Sequence, residues 1–165
     1  MQYRNWIFIT LYLVAIVLAN LTVAWFGPKM VIINAFLFIG LDLTSRDYLH
    51  EAWHKKGLVW KMLLLIGGGS LITLALNRDA AQIAFASFMA FSLAAIVDTV
   101  SYHFLREKAY IIKINGSNVT SALVDSIVFP TLAFGVFMPW IILGQFAAKV
   151  GGGFVWSLIL KRMRS

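Results

Sequence analysis

The chain has 165 residues, of which 61% are hydrophobic and only 13% charged, with a mean hydropathy of +0.83; a soluble domain is about half apolar and about a quarter charged. The absence of cysteine excludes disulfides, iron–sulfur ligation and thiol catalysis. The formal net charge of +7 does not argue for nucleic acid, because its placement follows the apolar segments.

A bilayer span needs about 20 apolar residues, and segments of that order run over 6–26, 30–53, 57–76, 80–105, 119–138 and 139–160. The first follows Arg4 as a signal peptide would. It continues through Asn20 to Phe26 without a small-residue cleavage site, so a retained span is expected. Gly27-Pro28 predicts a sharp turn into the second segment. That segment ends in a dense polar run: Asp42, Arg46, Asp47, His50, Glu51 and His54. Asp47, Glu51 and His54 share a helical face at i, i+4 and i+7. The bland reading is a solvated helix end, yet two carboxylates there oppose the helix dipole and suggest purpose.

The third segment carries Gly67-Gly68-Gly69-Ser70, and the sixth carries Gly151-Gly152-Gly153. Such runs serve close helix packing or unwinding beside a ligand cavity. Neither has the following Lys-Ser/Thr of a phosphate loop. Lys61 lies one turn from a span end and can snorkel. Asn77-Arg78-Asp79 predicts a second turn, and Gly116 is expected to break the chain before Val119. The fifth and sixth segments are expected to meet near Met138-Pro139-Trp140. No run alternates with period two, and an open sheet cannot lie in lipid. The expected fold is therefore all-α: a single polytopic domain over 1–165 with six transmembrane helices.

Six spans place Arg4, Arg46, Lys55, Lys56, Arg106, Lys108, Lys113, Lys161, Arg162 and Arg164 on one face, against Lys29 and Arg78 on the other. Basic residues in short loops stay cytoplasmic, so both termini are expected inside. Attraction to anionic inner-leaflet lipids accounts for the rest of the charge.

Lys149 falls near the middle of the sixth segment, where insertion of a lysine costs about 2.5–3.5 kcal/mol. It should face an interior or a wet cavity and have a partner. Gln145 is one turn away on the same face. Asp42, Asp98 and Asp125 could each pair with Lys149 or Lys61, and spacing alone leaves the partner open. Asn20 and Asn34 are amides inside apolar runs, placed to cross-link helices or to read a ligand's polar edge. His50-Glu51-Ala52-Trp53-His54 also spells H-E-x-x-H, in which two histidines grip zinc and the Glu activates water. With His103 or Asp98 as a third ligand, it would make an intramembrane zinc metalloprotease. A structural or holin-like membrane protein is a third class.

Several blocks together resemble the queuosine precursor transporter family, also called vitamin uptake transporters. They are Ala19-Asn20-Leu21-Thr22, Asp47-Tyr48-Leu49-His50-Glu51-Ala52-Trp53, and Ser117-Asn118 leading through Ser121 to Asp125-Ser126 and Phe129. Ala133-Phe134-Gly135 and Gln145-Phe146-Ala147-Ala148-Lys149 complete the set. The resemblance covers essentially the whole chain, and the Asp125-Ser126 block is its most specific element.

The resemblance implies a multi-pass transporter of the cytoplasmic (inner) membrane, not an enzyme, importing 7-cyano- or 7-aminomethyl-7-deazaguanine. It assigns Glu51 to an acidic pair with Asp47 rather than to zinc, and implies no cofactor, no metal and no nucleic acid. The implied partners are a 7-deazaguanine base and the lipid bilayer; a homo-oligomer is left open. The base presents N1–H and a 2-amino group as donors and O6 as acceptor. Asp125 or Glu51 would accept from the two donors, since charge-assisted bonds are the strong ones. Asn20, Asn118 or Gln145 would donate to O6, and Phe129 or Phe134 would stack on the ring. Ser126 lies beside Asp125, and Lys149 would hold a carboxylate ionised in the empty state.

Overall fold

Glycine and proline punctuate this chain, and they fix where its helices turn. The computed structural model describes residues 2–38, 49, 53, 57–105, 107 and 110–164. Among them are six α-helices and no strand: α1 (Gln2–Phe26), α2 (Lys29–Phe38), α3 (Leu58–Leu76), α4 (Ala81–Phe104), α5 (Tyr110–Phe134) and α6 (Pro139–Arg164). The all-α expectation agrees with this.

Gly27 ends α1 in the left-handed region at φ 81°, and its N–H donates to Val23 O at 2.9 Å. Only a residue without Cβ adopts this cap without strain. Pro28 then opens the turn into α2. Between α3 and α4, Asn77 N–H donates to Thr73 O at 2.9 Å. The Asn77 side chain accepts from Asp79 N at 3.0 Å, holding the 3₁₀ turn Arg78–Ala80.

Two expectations are corrected here. Helix α5 begins at Tyr110 rather than at Val119 and runs straight through Gly116. A helix tolerates one glycine at a cost of about 1 kcal/mol, and a Cβ on Gly116 would sit 2.6 Å from Leu105 Cδ1. Gly116 is therefore a contact point against the α4 end, not a break. At its other end α5 stops at Phe134, before Gly135 at φ 67°. The connection to α6 is thus residues 135–138, and Pro139 opens α6 where its missing N–H has no role.

The glycine run in α3 stays helical, which favours the packing reading over unwinding. A Cβ on Gly69 would meet Ile16 Cγ2 of α1 at 2.8 Å, so glycine lets the two backbones close up. Gly144 of α6 does the same against the Ile32 side chain of α2. Lys61 is half-buried with Nζ 5.4 Å from the Trp53 ring centroid, within cation–π range.

The interior has two apolar clusters. Tyr12, Ile16, Leu49, Met62 and Ile66 form one; Val23, Val31, Ile83, Ala90, Phe129 and Ala133 belong to the other. The outer surface is apolar as well, with Trp6 62%, Trp60 74% and Trp140 84% exposed. Trp6–Phe26 and Arg78–Ser101 are long and apolar enough to cross a membrane, and Lys29–Phe38 and Trp60–Leu76 are shorter apolar helices among the described residues.

Candidate solute site at a buried ion pair

The two clusters meet at a cavity of about 100 Å³ walled by α1, α2, α4, α5 and α6. One water needs about 10–15 Å³ on the same scale, so the space admits several waters or a small solute. Most of its lining is apolar: Tyr12 and Ile16 from α1, Phe38 from α2, Phe91 from α4 and Phe129 from α5. The polar groups are few and convergent, as in small-molecule sites. They are Asn20, Asn34, Ser87, Asp125, Gln145 and Lys149, with the hydroxyl of Tyr12.

Asp125 is 5% exposed. Its Oδ2 is held by Lys149 Nζ in an ion pair between α5 and α6, and it also accepts from Gln145 Nε2 at 3.1 Å. The partner left open by spacing is therefore Asp125. A buried carboxylate survives desolvation only when paired and hydrogen-bonded, and Asp125 is both. Gln145 Oε1, by contrast, is buried with no partner among the described residues.

The two asparagines are anchored from behind. Asn34 Nδ2 donates to Ala19 O at 3.0 Å and to Thr22 Oγ1 at 2.9 Å, tying α2 to α1. Asn20 Nδ2 donates to Thr73 Oγ1 at 3.4 Å, and Thr73 Oγ1 donates to Gly69 O at 2.9 Å, tying α1 to α3. One turn beyond Asp125, the helix-interior Pro130 has no N–H for the Ser126 carbonyl four residues earlier. A proline inside a membrane helix is tolerated where neighbouring groups or waters re-satisfy the freed carbonyl.

Of the residues singled out by sequence, Asn20, Asn34, Asp125, Phe129, Gln145 and Lys149 line the cavity. Ser126 does not; it is fully buried, and its Oγ has no partner among the described residues. Asn118 is half-buried on α5 outside the lining, and its carbonyl accepts from Ser121 Oγ at 3.1 Å. Phe134 packs against the second cluster rather than lining the cavity. Asp47 and Glu51 lie outside the described residues, as do Asp42 and both histidines of the H-E-x-x-H motif. Sequence reasoning missed Tyr12, Ser87 and Phe91. Tyr12, Ile16 and Asn20 do recur at i, i+4 and i+8 on one face of α1, and that periodicity was the available signal for the tyrosine.

Described residues that are all helical or in turns, an apolar outer surface and an ion pair facing an interior cavity fit an integral membrane protein with a polar interior site. The chain belongs to the family described as "Putative vitamin uptake transporter", whose model matches residues 5–161. It is thus a transporter of the vitamin-uptake type, acting on a small-molecule substrate in a membrane. No curated protein and no solved structure matches it.

Proposed function

We propose that this transporter carries a 7-deazaguanine precursor of queuosine, 7-cyano- or 7-aminomethyl-7-deazaguanine, inward across the cytoplasmic membrane. The observation that carries the reading is Asp125: an ionised acceptor buried on a cavity with an aromatic ring, Phe129, on the same wall. A carboxylate accepts from N1–H and the 2-amino group of such a base together, and Phe129 stacks on its plane. Lys149 is the partner of Asp125 when no solute is bound. Asn20, which has one amide hydrogen beyond its bond to Thr73, donates to O6. A base lacking the donor pair would leave the carboxylate incompletely satisfied and is rejected for that reason.

The chain is a carrier rather than an enzyme, a six-span protein with both termini in the cytoplasm. The ten-to-two distribution of basic residues supports this topology. So do the exposed tryptophans: on that topology Trp6 and Trp60 lie at the inner interface, and Trp25 and Trp140 at the outer one, as an aromatic belt requires. In-phase helices then bring Asp125 and Lys149 to mid-membrane depth, where transporters hold their substrates.

The test is a feeding experiment. Cells that can neither make nor import the precursor receive the gene and each base in turn, and queuosine in their tRNA is measured. Queuosine should appear with one of the two bases. Its absence with both, in cells whose membranes contain the protein, would contradict the assigned substrate.

A further inference from the structure

We infer that Gln145 selects for a donor edge on the solute, presenting Oε1 to it as an acceptor; the inference rests on the reading of the cavity proposed above. Gln145 Nε2 donates to Asp125 Oδ2 at 3.1 Å, on the same oxygen that Lys149 holds. Turning the amide over would set Oε1 against a carboxylate oxygen, two acceptors with no hydrogen between them. The side chain is thereby locked in one orientation. Oε1 is then left buried without a partner among the described residues, on a residue 4% exposed that lines the cavity. A buried acceptor in that condition is unfavourable until a donor reaches it.

A second amide on the cavity wall also spends its donor side on the protein. Asn34 spends its Nδ2 on Ala19 O and Thr22 Oγ1, so Oδ1 is what it has to offer. Lys149 is held on Asp125. Apart from the Tyr12 and Ser87 hydroxyls, one hydrogen of Asn20 and the remaining hydrogens of the Lys149 ammonium, the polar wall is made of acceptors. The matching solute is a planar heterocycle carrying a ring N–H beside an exocyclic amine, with that edge spanning Asp125 and Gln145. This removes Gln145 from the role of donor to O6 that its residue type also permits, and makes it a specificity-determining residue.

Two probes isolate the claim: 7-deazaguanine and 7-deazahypoxanthine, which differ only in the exocyclic amine. Their binding to the purified full-length protein in lipid nanodiscs is measured by calorimetry. The wild-type protein should favour the amine-bearing probe about 10- to 100-fold, the scale of one buried acceptor left unpaired. Gln145→Met should narrow the preference, chiefly by weakening 7-deazaguanine, and leave the share that Asp125 contributes. Gln145→Leu, likewise without an acceptor, should narrow the preference in the same way. Should Gln145→Met not fold, an undiminished preference in Gln145→Leu overturns the inference in its place. A preference undiminished in Gln145→Met, including one kept through equal weakening of both probes, removes Gln145 from this role and leaves the transport reading standing. Wild-type protein that binds neither probe overturns both.

Discussion

Lys149 of α6 donates to Asp125 Oδ2 of α5, across 24 residues of sequence, and Gln145 donates to the same oxygen from one turn earlier on α6. Three polar side chains on two helices thus form a single unit at the cavity. Its energetics are asymmetric. Removing one member of a buried ion pair costs about 3–5 kcal/mol because the other charge is stranded, whereas replacing both with apolar groups is often neutral.

Lys149→Met should therefore lower the melting temperature of the purified protein clearly, and Asp125→Leu/Lys149→Met should recover most of that loss. Neither variant should take up solute. Thermal unfolding in detergent checks the first statement and an uptake assay the second. Equal stability of the single and double variants would show that the charges do not depend on each other.

The contact of Gly144 with Ile32 predicts an overpacking effect. Gly144→Ala adds a Cβ that collides with the Ile32 side chain, and such insertions cost about 1–3 kcal/mol. Ile32→Val in the same chain should restore part of the loss. Melting temperatures of the two single variants and the double variant measure the coupling; simple additivity would mean that α2 and α6 do not press together there.

Asn34 gives a prediction with a definite sign. Its Nδ2 faces Ala19 O and Thr22 Oγ1, and the Thr22 hydroxyl already donates to Leu18 O at 2.8 Å and Ala19 O at 3.0 Å. Asn34→Asp would turn a carboxylate oxygen onto acceptors, so it should destabilise more than Asn34→Ala, whose loss is about 1–3 kcal/mol. Folded yields and melting temperatures of the two variants check the order.

Much of this arrangement was legible in the sequence, and what was not has a physical cause. Gly27-Pro28 and Asn77 mark turns because their backbone chemistry is local, and Lys149 announces a partner because lipid cannot solvate it. Which of Asp42, Asp98 and Asp125 would answer depends on how α5 and α6 face each other, and spacing along one helix does not contain that. Gly116 was misread as a break for the same reason: only the approach of Leu105 gives a glycine at that position its purpose. Ser87 and Phe91 read as ordinary apolar-helix residues until α4 turns them toward the cavity.

The proposed topology is open to direct measurement. Reporter fusions that fluoresce only in the cytoplasm should be active at the N-terminus, at Leu105 and at the C-terminus, and inactive when placed after Gly27, Asn77 or Met138. Reversing the bias by adding lysines beside Lys29 and Arg78 should reduce correct insertion. Termini reported on opposite sides of the membrane would remove both the six-span arrangement and the depth assigned to Asp125.

The most direct test of the account is the affinity of 7-cyano-7-deazaguanine for the wild-type protein and for Asp125→Asn, by calorimetry in nanodiscs. Asparagine keeps the shape but replaces an ionised acceptor, at about 1.5–3 kcal/mol for each hydrogen bond to a charged group. The account predicts measurable wild-type binding and a loss of about 100-fold or more in the variant, with insertion and monodispersity retained. Binding by Asp125→Asn at wild-type affinity would contradict it.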